Sequence, residues 1–585
     1  MSRHRNVRNM NLADEYYDDY DDDDYYDDDE EPTNSEFTYD RTSSSSYFNL
    51  LSPKDKNSSA SPNNSEVKSV PKITAPPATQ ITKPPNPIQP SSQPSQKVPN
   101  VQKLIKDEKS LTPKQMQKNH SDIDLTTLRK TNLANIARAS SAPRKPKKRS
   151  ESKHLINMIV VGHVDAGKST LMGHLLFDMG FVDNRTMDKY KHESSRTGKS
   201  SFAYAWVLDE TQEERERGVT MDVGRICFET NSKRIVLLDA PGHKDFISNM
   251  ITGTSQADAA ILVVNGTRGE FETGFENGGQ TKEHAMLLRS LGVTQLIVAV
   301  NKLDTVDWSK ERFDEIKEIL NQFLTKQAGF ASTKLKYVPV SGLSGENLTK
   351  RFSPESMCSW YHGPCLLELI DSFVPPKQLS DGPLRIVVSD VLKVTNNQLV
   401  FSGKVESGEI EKDDKVYIMP NGTSCAVKAC STYEGAHEHC IAGDYILATL
   451  SGSFEPDSIH SGAVVVRGGP DTLLPAHKFV VRLVVFDVTM PIMKVRRGTK
   501  TELYAHSLCV PCSFTKLVSI VNKTTGEVTK NRPRYLTKGT SAVVEIETEY
   551  EVAIESFTSC RALGRVTFRS SGQTIAAGIV ESQLR

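Results

Sequence analysis

The octapeptide Gly162-His163-Val164-Asp165-Ala166-Gly167-Lys168-Ser169 has the spacing G-x-x-x-x-G-K-[ST], and its flanks constrain this chain more than any other feature. An apolar run, Met158-Ile159-Val160-Val161, precedes it, and apolar residues at helical spacing, Leu171-Met172 and Leu175-Leu176, follow it. Strand, glycine-rich loop and helix in that order make a phosphate cradle. The glycines let successive backbone N–H groups curl around phosphate oxygens, and the helix N-terminus adds its positive dipole end. Lys168 is placed to reach β- and γ-phosphates and Ser169 to ligate Mg²⁺, while His163, Val164, Asp165, Ala166, Gly167 and Thr170 complete the loop.

Four later segments supply what a phosphate cradle lacks. Asp239 ends a second buried-strand run, Ile235-Val236-Leu237-Leu238, where a carboxylate acts on Mg²⁺ through a water. Gly242, in Asp239-Ala240-Pro241-Gly242-His243, permits close backbone approach to a γ-phosphate. Thr220 follows the charged stretch Glu213-Glu214-Arg215-Glu216-Arg217, and a threonine in such a loop ligates Mg²⁺ only while a γ-phosphate is present. Asn301, Lys302 and Asp304 follow the strand run Leu296–Val300, and Ser341, Gly342 and Leu343 close the pocket from a later loop. The Asp304 carboxylate accepts from N1–H and N2–H of guanine, whereas adenine leaves it unpaired, a difference worth roughly 10⁴ in selectivity. The ligand read from the residues is therefore GTP or GDP with Mg²⁺. His243 is the expected catalytic group, because phosphoryl transfer to water needs the nucleophile positioned more than it needs a strong base. Val164 and Val219 are expected to gate it.

Texture along the chain divides it. Residues 1–150 are rich in Asp, Ser, Pro, Asn and Lys and poor in large apolar side chains, so they cannot bury enough surface to offset ordering entropy and are expected to be mostly disordered. Within them, Asp14 to Glu31 is an acidic run interrupted by tyrosines, Ser121 to Ala139 has helical spacing, and Arg144, Lys145, Lys147, Lys148 and Arg149 form a basic cluster. For each, a solvated tail and a docking segment stay open as readings. Residues 153–376 alternate buried strands with helical patterns such as Glu311 to Leu324, predicting an α/β domain with a parallel sheet and helices on both faces. Short strands between Gly, Asn and Asp turns then predict two β-barrels, over 382–470 and 475–585. The nine cysteines show no framework spacing and no apolar run reaches a membrane span, so a reduced cytoplasmic protein without membrane association is expected. Cys509 and Cys512 have metal-like spacing with no second pair, and small buried residues in a barrel strand are the expected reading. His437-Glu438-His439-Cys440 is expected to be a polar loop.

From Ser152 to Arg585 the motifs GHVDAGKST, EERERGVTMD, DAPGH and NKLD resemble the translational GTPases related to elongation factor one-alpha. Gly269–Phe275, Gly279-Gln280-Thr281, Trp360-Tyr361-His362-Gly363, Leu563–Val566 and Thr574-Ile575-Ala576-Ala577-Gly578 are similar to the HBS-like ribosome-rescue branch, as is the opening Arg3-His4-Arg5-Asn6-Val7-Arg8 before its acidic run. Class II termination factors share the first two stretches, so the N-terminus and the TIAAG ending carry the choice. The resemblance implies a GTPase that delivers Pelota to the A site of stalled ribosomes, for rescue and for no-go and nonstop mRNA decay. It implies activation of His243 by the sarcin–ricin loop of rRNA, and a link to the mRNA-decay machinery through the N-terminal region. A class II termination factor, or an adaptor that binds nucleotide without hydrolysing it, are the alternatives.

Overall fold

A computed structural model describes residues 153–585 except 210, 277–278, 354, 378, 433–434, 438, 456–457, 487–494, 524 and 585. The expectations for the acidic run, the 121–139 helix and the basic cluster fall outside the described residues.

Six strands build the first sheet: β1 (His154–Gly162), β2 (Gly224–Glu229), β3 (Lys233–Asp239), β4 (Ala259–Asn265), β5 (Gln295–Asn301) and β6 (Leu335–Pro339), in the order β2-β3-β1-β4-β5-β6. Helices α1 (Lys168–Asp178), α2 (Asn184–Arg196), α3 (Gln212–Arg217), α4 (Ile247–Ser255), α5 (Glu270–Phe275), α6 (Gln280–Leu291), α7 (Lys310–Lys326) and α8 (Leu366–Asp371) connect and cover it. Both faces are packed, which explains the unbroken apolar runs: Ile159 and Val161 of β1 join one core, and Ile156, Met158 and Val160 the other. One strand departs from the expected parallel sheet. β2 runs antiparallel to β3, because only Thr230, Asn231 and Ser232 separate them, too few for a crossover.

The next strands, β7 (Arg385–Thr395), β8 (Gln398–Ser407), β9 (Glu409–Glu411), β10 (Lys415–Met419), β11 (Thr423–Thr432), β12 (Gly435–His437), β13 (His439–Ile441), β14 (Tyr445–Gly452) and β15 (Val464–Val466), contain a ring β10-β15-β7-β8-β14-β11 closed by a β10–β11 pairing. The last, β16 (Ala476–Val485), β17 (Val495–Arg496), β18 (Lys500–Ala505), β19 (Leu508–Val521), β20 (Val528–Asn531), β21 (Tyr535–Leu536), β22 (Ser541–Val552), β23 (Arg565–Ser570) and β24 (Gln573–Leu584), close the same way through β18–β19. Each ring encloses its own apolar core, so both are barrels without open edges in the ring.

Ionic and polar clusters tie the three parts together. Lys404 of β8 donates to Gln256 O at 2.7 Å and Asp258 Oδ1 at 3.3 Å across the sheet domain–first barrel junction. Arg385 of β7 holds Glu555 in a bidentate pair at 2.9 and 2.8 Å across the two barrels. Glu283 of α6 accepts from Thr574 Oγ1 of β24 at 2.7 Å.

Candidate functional site

The phosphate loop runs from the end of β1 into α1. Gly167 caps the helix in the left-handed region at φ +80, and a Cβ there would lie 2.6 Å from Asn301 Nδ2. A side chain at this position would be both strained and blocked. Lys168 is buried and donates to Gly162 O at 3.1 Å and His163 O at 3.0 Å, folded along the loop that it would leave to meet a phosphate. Gly242 crosses directly above: a Cβ there would lie 2.3 Å from Lys168 Nζ and 2.9 Å from Gly162 O. The backbone after Asp239 can therefore touch whatever the lysine touches.

Three hydroxyl and carboxylate oxygens named from the sequence converge beside Lys168. Ser169 Oγ donates to Asp239 Oδ2 at 2.6 Å and lies 3.1 Å from Thr220 Oγ1. A fourth group was not read from the sequence: Asp209, buried, accepts from Thr220 Oγ1 at 3.3 Å. Its one sequence signal is a carboxylate closing the apolar turn Ala205-Trp206-Val207-Leu208. Burial, then the charges of Asp239 and Glu214, push the Asp209 carboxyl up to about 7. Burial likewise pushes Asp239 up to about 6, against the pull of the Ser169 bond and the Lys168 charge. Asp239 is fully buried and its Oδ1 has no hydrogen-bond partner. A hard divalent cation takes oxygens of this kind and would relieve both the orphan atom and the like-charge pair, so the residues fit Mg²⁺.

Local sequence explains why Thr220 stands there. Thr211 and Glu214 form a capping box that starts α3, and Gly218, at φ +71, ends it after six residues. Glu214 then turns back, its Oε1 accepting from Met221 N at 2.9 Å, and this pins the turn that carries Thr220.

On the other side of the cleft, Asn301 binds two loops together. Its Oδ1 accepts from Gly342 N at 2.8 Å and its Nδ2 donates to Ala166 O at 2.8 Å. Lys302 reaches Glu270 at 3.3 Å. Asp304 is half-buried, and its Oδ1 is a buried acceptor without a partner. An acceptor so placed suits a ligand with two adjacent N–H donors, as guanine has.

The cleft between these groups measures ≈ 690 Å³. Of the sequence-selected residues, His163 to Thr170, Thr220, Gly242, His243, Asn301, Lys302, Asp304, Ser341 and Leu343 line it, as do the gate residues Val164 and Val219. Asp239 and Gly342 stand directly behind that lining, bonded to Ser169 and Asn301. His243 is partly exposed at the rim, and its Nδ1 accepts from Asp245 N at 3.3 Å. That bond leaves Nε2 as the nitrogen available to a water at the γ-phosphate position. Elsewhere, Cys509 and Cys512 alternate to opposite faces of β19, which buries Cys512 but exposes Cys509 against the expectation, so they cannot grip one ion. The expected polar loop is strand instead: His437 ends β12, and His439, in β13 with Cys440, pairs with Glu409 at 2.8 Å. Among the described residues no helix is long and apolar enough to cross a membrane.

Residues 153–376 match the family described as elongation factor Tu GTP binding domain, and residues 478–581 match the GTP-eEF1A C-terminal domain-like family. The chain is similar to protein HBS1 of Drosophila melanogaster, 48% identical over 435 residues that make up 74% of this chain. It spans 64% of that protein's length. Elongation factor 1-alpha of Thermofilum pendens is 41% identical over 432 residues, covering 74% of this chain and 98% of that protein. The fold resembles the S. cerevisiae Ski7 GTPase-like domain, solved bound to GDP and inorganic phosphate, with a TM-score of 0.61 at 20% identity over 74% of this chain and 98% of that one.

Proposed function

Because the chain belongs to the family of translational GTPases that holds elongation factor 1-alpha and protein HBS1, we propose that it hydrolyses GTP on stalled ribosomes and delivers Pelota to their A site. The observation that carries this is the convergence of all five sequence segments on one cleft with His243 at its rim. The higher identity to protein HBS1 than to the elongation factor supports rescue over aminoacyl-tRNA delivery.

In this reading the loop amides from His163 to Ser169 and the Lys168 ammonium hold the β- and γ-phosphates, and Asp304 with the Ser341–Leu343 loop holds guanine. Ser169, Thr220 and Asp239 are the groups that would hold Mg²⁺, which neutralises charge between the β- and γ-phosphates when bound. A γ-phosphate would hold Thr220 in that set, so the segment leading to it reports the nucleotide state. His243 Nε2 orients the attacking water, and Val164 and Val219 keep the ring aside until the sarcin–ricin loop of rRNA draws it inward. Hydrolysis then frees the Thr220 segment, the GTPase leaves, and Pelota remains to support subunit splitting. The setting is cytoplasmic surveillance of no-go and nonstop mRNA, with the N-terminal region as the link to decay machinery.

The test is a pull-down of purified Pelota and class I release factor by the full chain, with a GTP analogue and with GDP. Retention of Pelota with the analogue alone supports the proposal. Preference for the release factor would make this a termination factor, and binding indifferent to nucleotide would make it an adaptor.

A further inference from the structure

His174 stands on α1, one turn beyond the phosphate loop, and it is buried where an aliphatic residue would satisfy the core. A buried imidazole needs partners, and this one has three: its Nε2 lies 3.6 Å from Asp178 Oδ1 one turn along α1, and the other two lie outside the helix. Its Nδ1 lies 2.9 Å from Gly342 O, in the loop that closes the base side of the cleft. Its ring lies flat against Tyr204, with centroids 3.9 Å apart and planes within 10°. Tyr204 begins the 3₁₀ turn Ala205–Val207 that delivers Asp209 to Thr220.

Both contacts are built tightly. Gly342 is gripped from two sides, its N–H by Asn301 and its carbonyl by His174. Gly345 of the same loop packs on the ring so closely that a Cβ there would lie 2.7 Å from His174 Cε1. On the other side, a Cβ at Gly173 would lie 1.9 Å from Tyr204 O, so glycine is what lets the segment's backbone rest on α1. Phe177, tilted at 6.0 Å, and the Lys191 ammonium, 5.5 Å from the ring centroid, also pack against Tyr204. A shift of the Gly342 peptide therefore moves the imidazole, and the imidazole cannot tilt without moving Tyr204.

We propose that His174 is a positioning residue that couples the guanine loop at Gly342 to the 200–209 segment. Seating the base then biases Asp209 and Thr220 toward the arrangement seen here, before any γ-phosphate contact forms. This rests on the reading of the cleft as a guanine-nucleotide site. By reciprocity, ordering the segment tightens the base loop by the same factor.

Hydrogen exchange of the full chain tests this with GDP and excess EDTA as the probe, so that the base loop is engaged while Mg²⁺ and a γ-phosphate are absent. GDP binding is measured separately by calorimetry. In the native chain, saturating GDP should slow exchange across residues 200–209 by about tenfold, within the usual range of coupling between sites. His174→Gln keeps a donor for Gly342 O and loses the stacked ring. It should bind GDP within about threefold of native, too little for a lost buried bond, yet abolish the slowing. Tyr204→Leu should abolish it too, while Tyr204→Phe, which preserves the stack, should restore it. The Tyr204 pair carries the test if the His174 variant does not fold. Slowing that persists in GDP-bound His174→Gln or Tyr204→Leu overturns the proposal, as does a native chain that binds GDP with no change at 200–209. A native chain that binds no GDP would overturn the guanine reading instead.

Discussion

Replacing Lys404 by methionine should unfasten the first barrel from the sheet domain, and the size of the effect follows from the charges left behind. Lys404 is 5% exposed, its ammonium meets Gln256 O and Asp258, and Glu406 stands 3.9 Å away. Methionine fills nearly the same volume, so little of the loss is cavity. What remains is two carboxylates, each under one-sixth exposed, with their common cation removed. Stranding a buried charge in this way costs about 3–5 kcal/mol. Asp258 is still held by the Asn157 backbone N–H at 2.9 Å and its side-chain amide at 3.0 Å, so Glu406 is the group that suffers. Burial already raises its carboxyl above the usual range, and losing the ammonium raises it further. An acid raised in the folded chain contributes its penalty when ionised, so stability is retained at low pH and lost as pH rises through the folded pKa. Urea unfolding should therefore show a larger loss for K404M at pH 8 than at pH 5.5. The double variant K404M/E406Q, which removes the stranded charge, should regain most of it at pH 8. A pH-independent loss, or no recovery in the double variant, would refute this account.

Other expectations are as specific. Gly242→Ala places a methyl group against Lys168 Nζ and the Gly162 carbonyl, and overpacking of about 1–3 kcal/mol should weaken GTP binding by roughly 10-fold or more in calorimetry, with the fold retained. Asp304→Ala removes the acceptor for the guanine donors, and GTP-over-ATP selectivity in competition binding should fall by about two orders of magnitude or more. His284 and His506 are buried and held neutral, at about 3 and about 4 against an ordinary 6.5. The unfolded chain therefore binds more protons below pH 6.5, and stability should fall on acidification by about 2 kcal/mol per histidine at pH 5, with His506→Gln removing about half the drop in urea midpoints.

The candidate nucleotide site was legible as a cluster because its pattern is local. A phosphate loop needs glycines, lysine and serine within eight positions, and a base site needs Asn301, Lys302 and Asp304 within four, each at a strand end that its own apolar run announces. Strand texture likewise marked the sheet and both barrels, since burial on two faces or one leaves its period in the chain. The antiparallel β2 was also within reach of the sequence, given its three-residue connection to β3.

Asp209 and His174 were not legible, because neither sits in a pattern that its neighbours share. Asp209 gains meaning only when the segment between α2 and α3 folds back over α1 and brings it to Thr220. His174 meets Gly342 across 168 positions, and Glu283 meets Thr574 across 291. The residue pattern of the candidate cleft, the strand–loop–helix unit and the three-part architecture were determined by the sequence alone, through short-range spacing and burial period. Tertiary structure decided which distant loops touch, which carboxylates share one charge, and how the barrels dock. Those contacts depend on chain closure and packing over hundreds of residues, and they leave no periodic trace in the sequence.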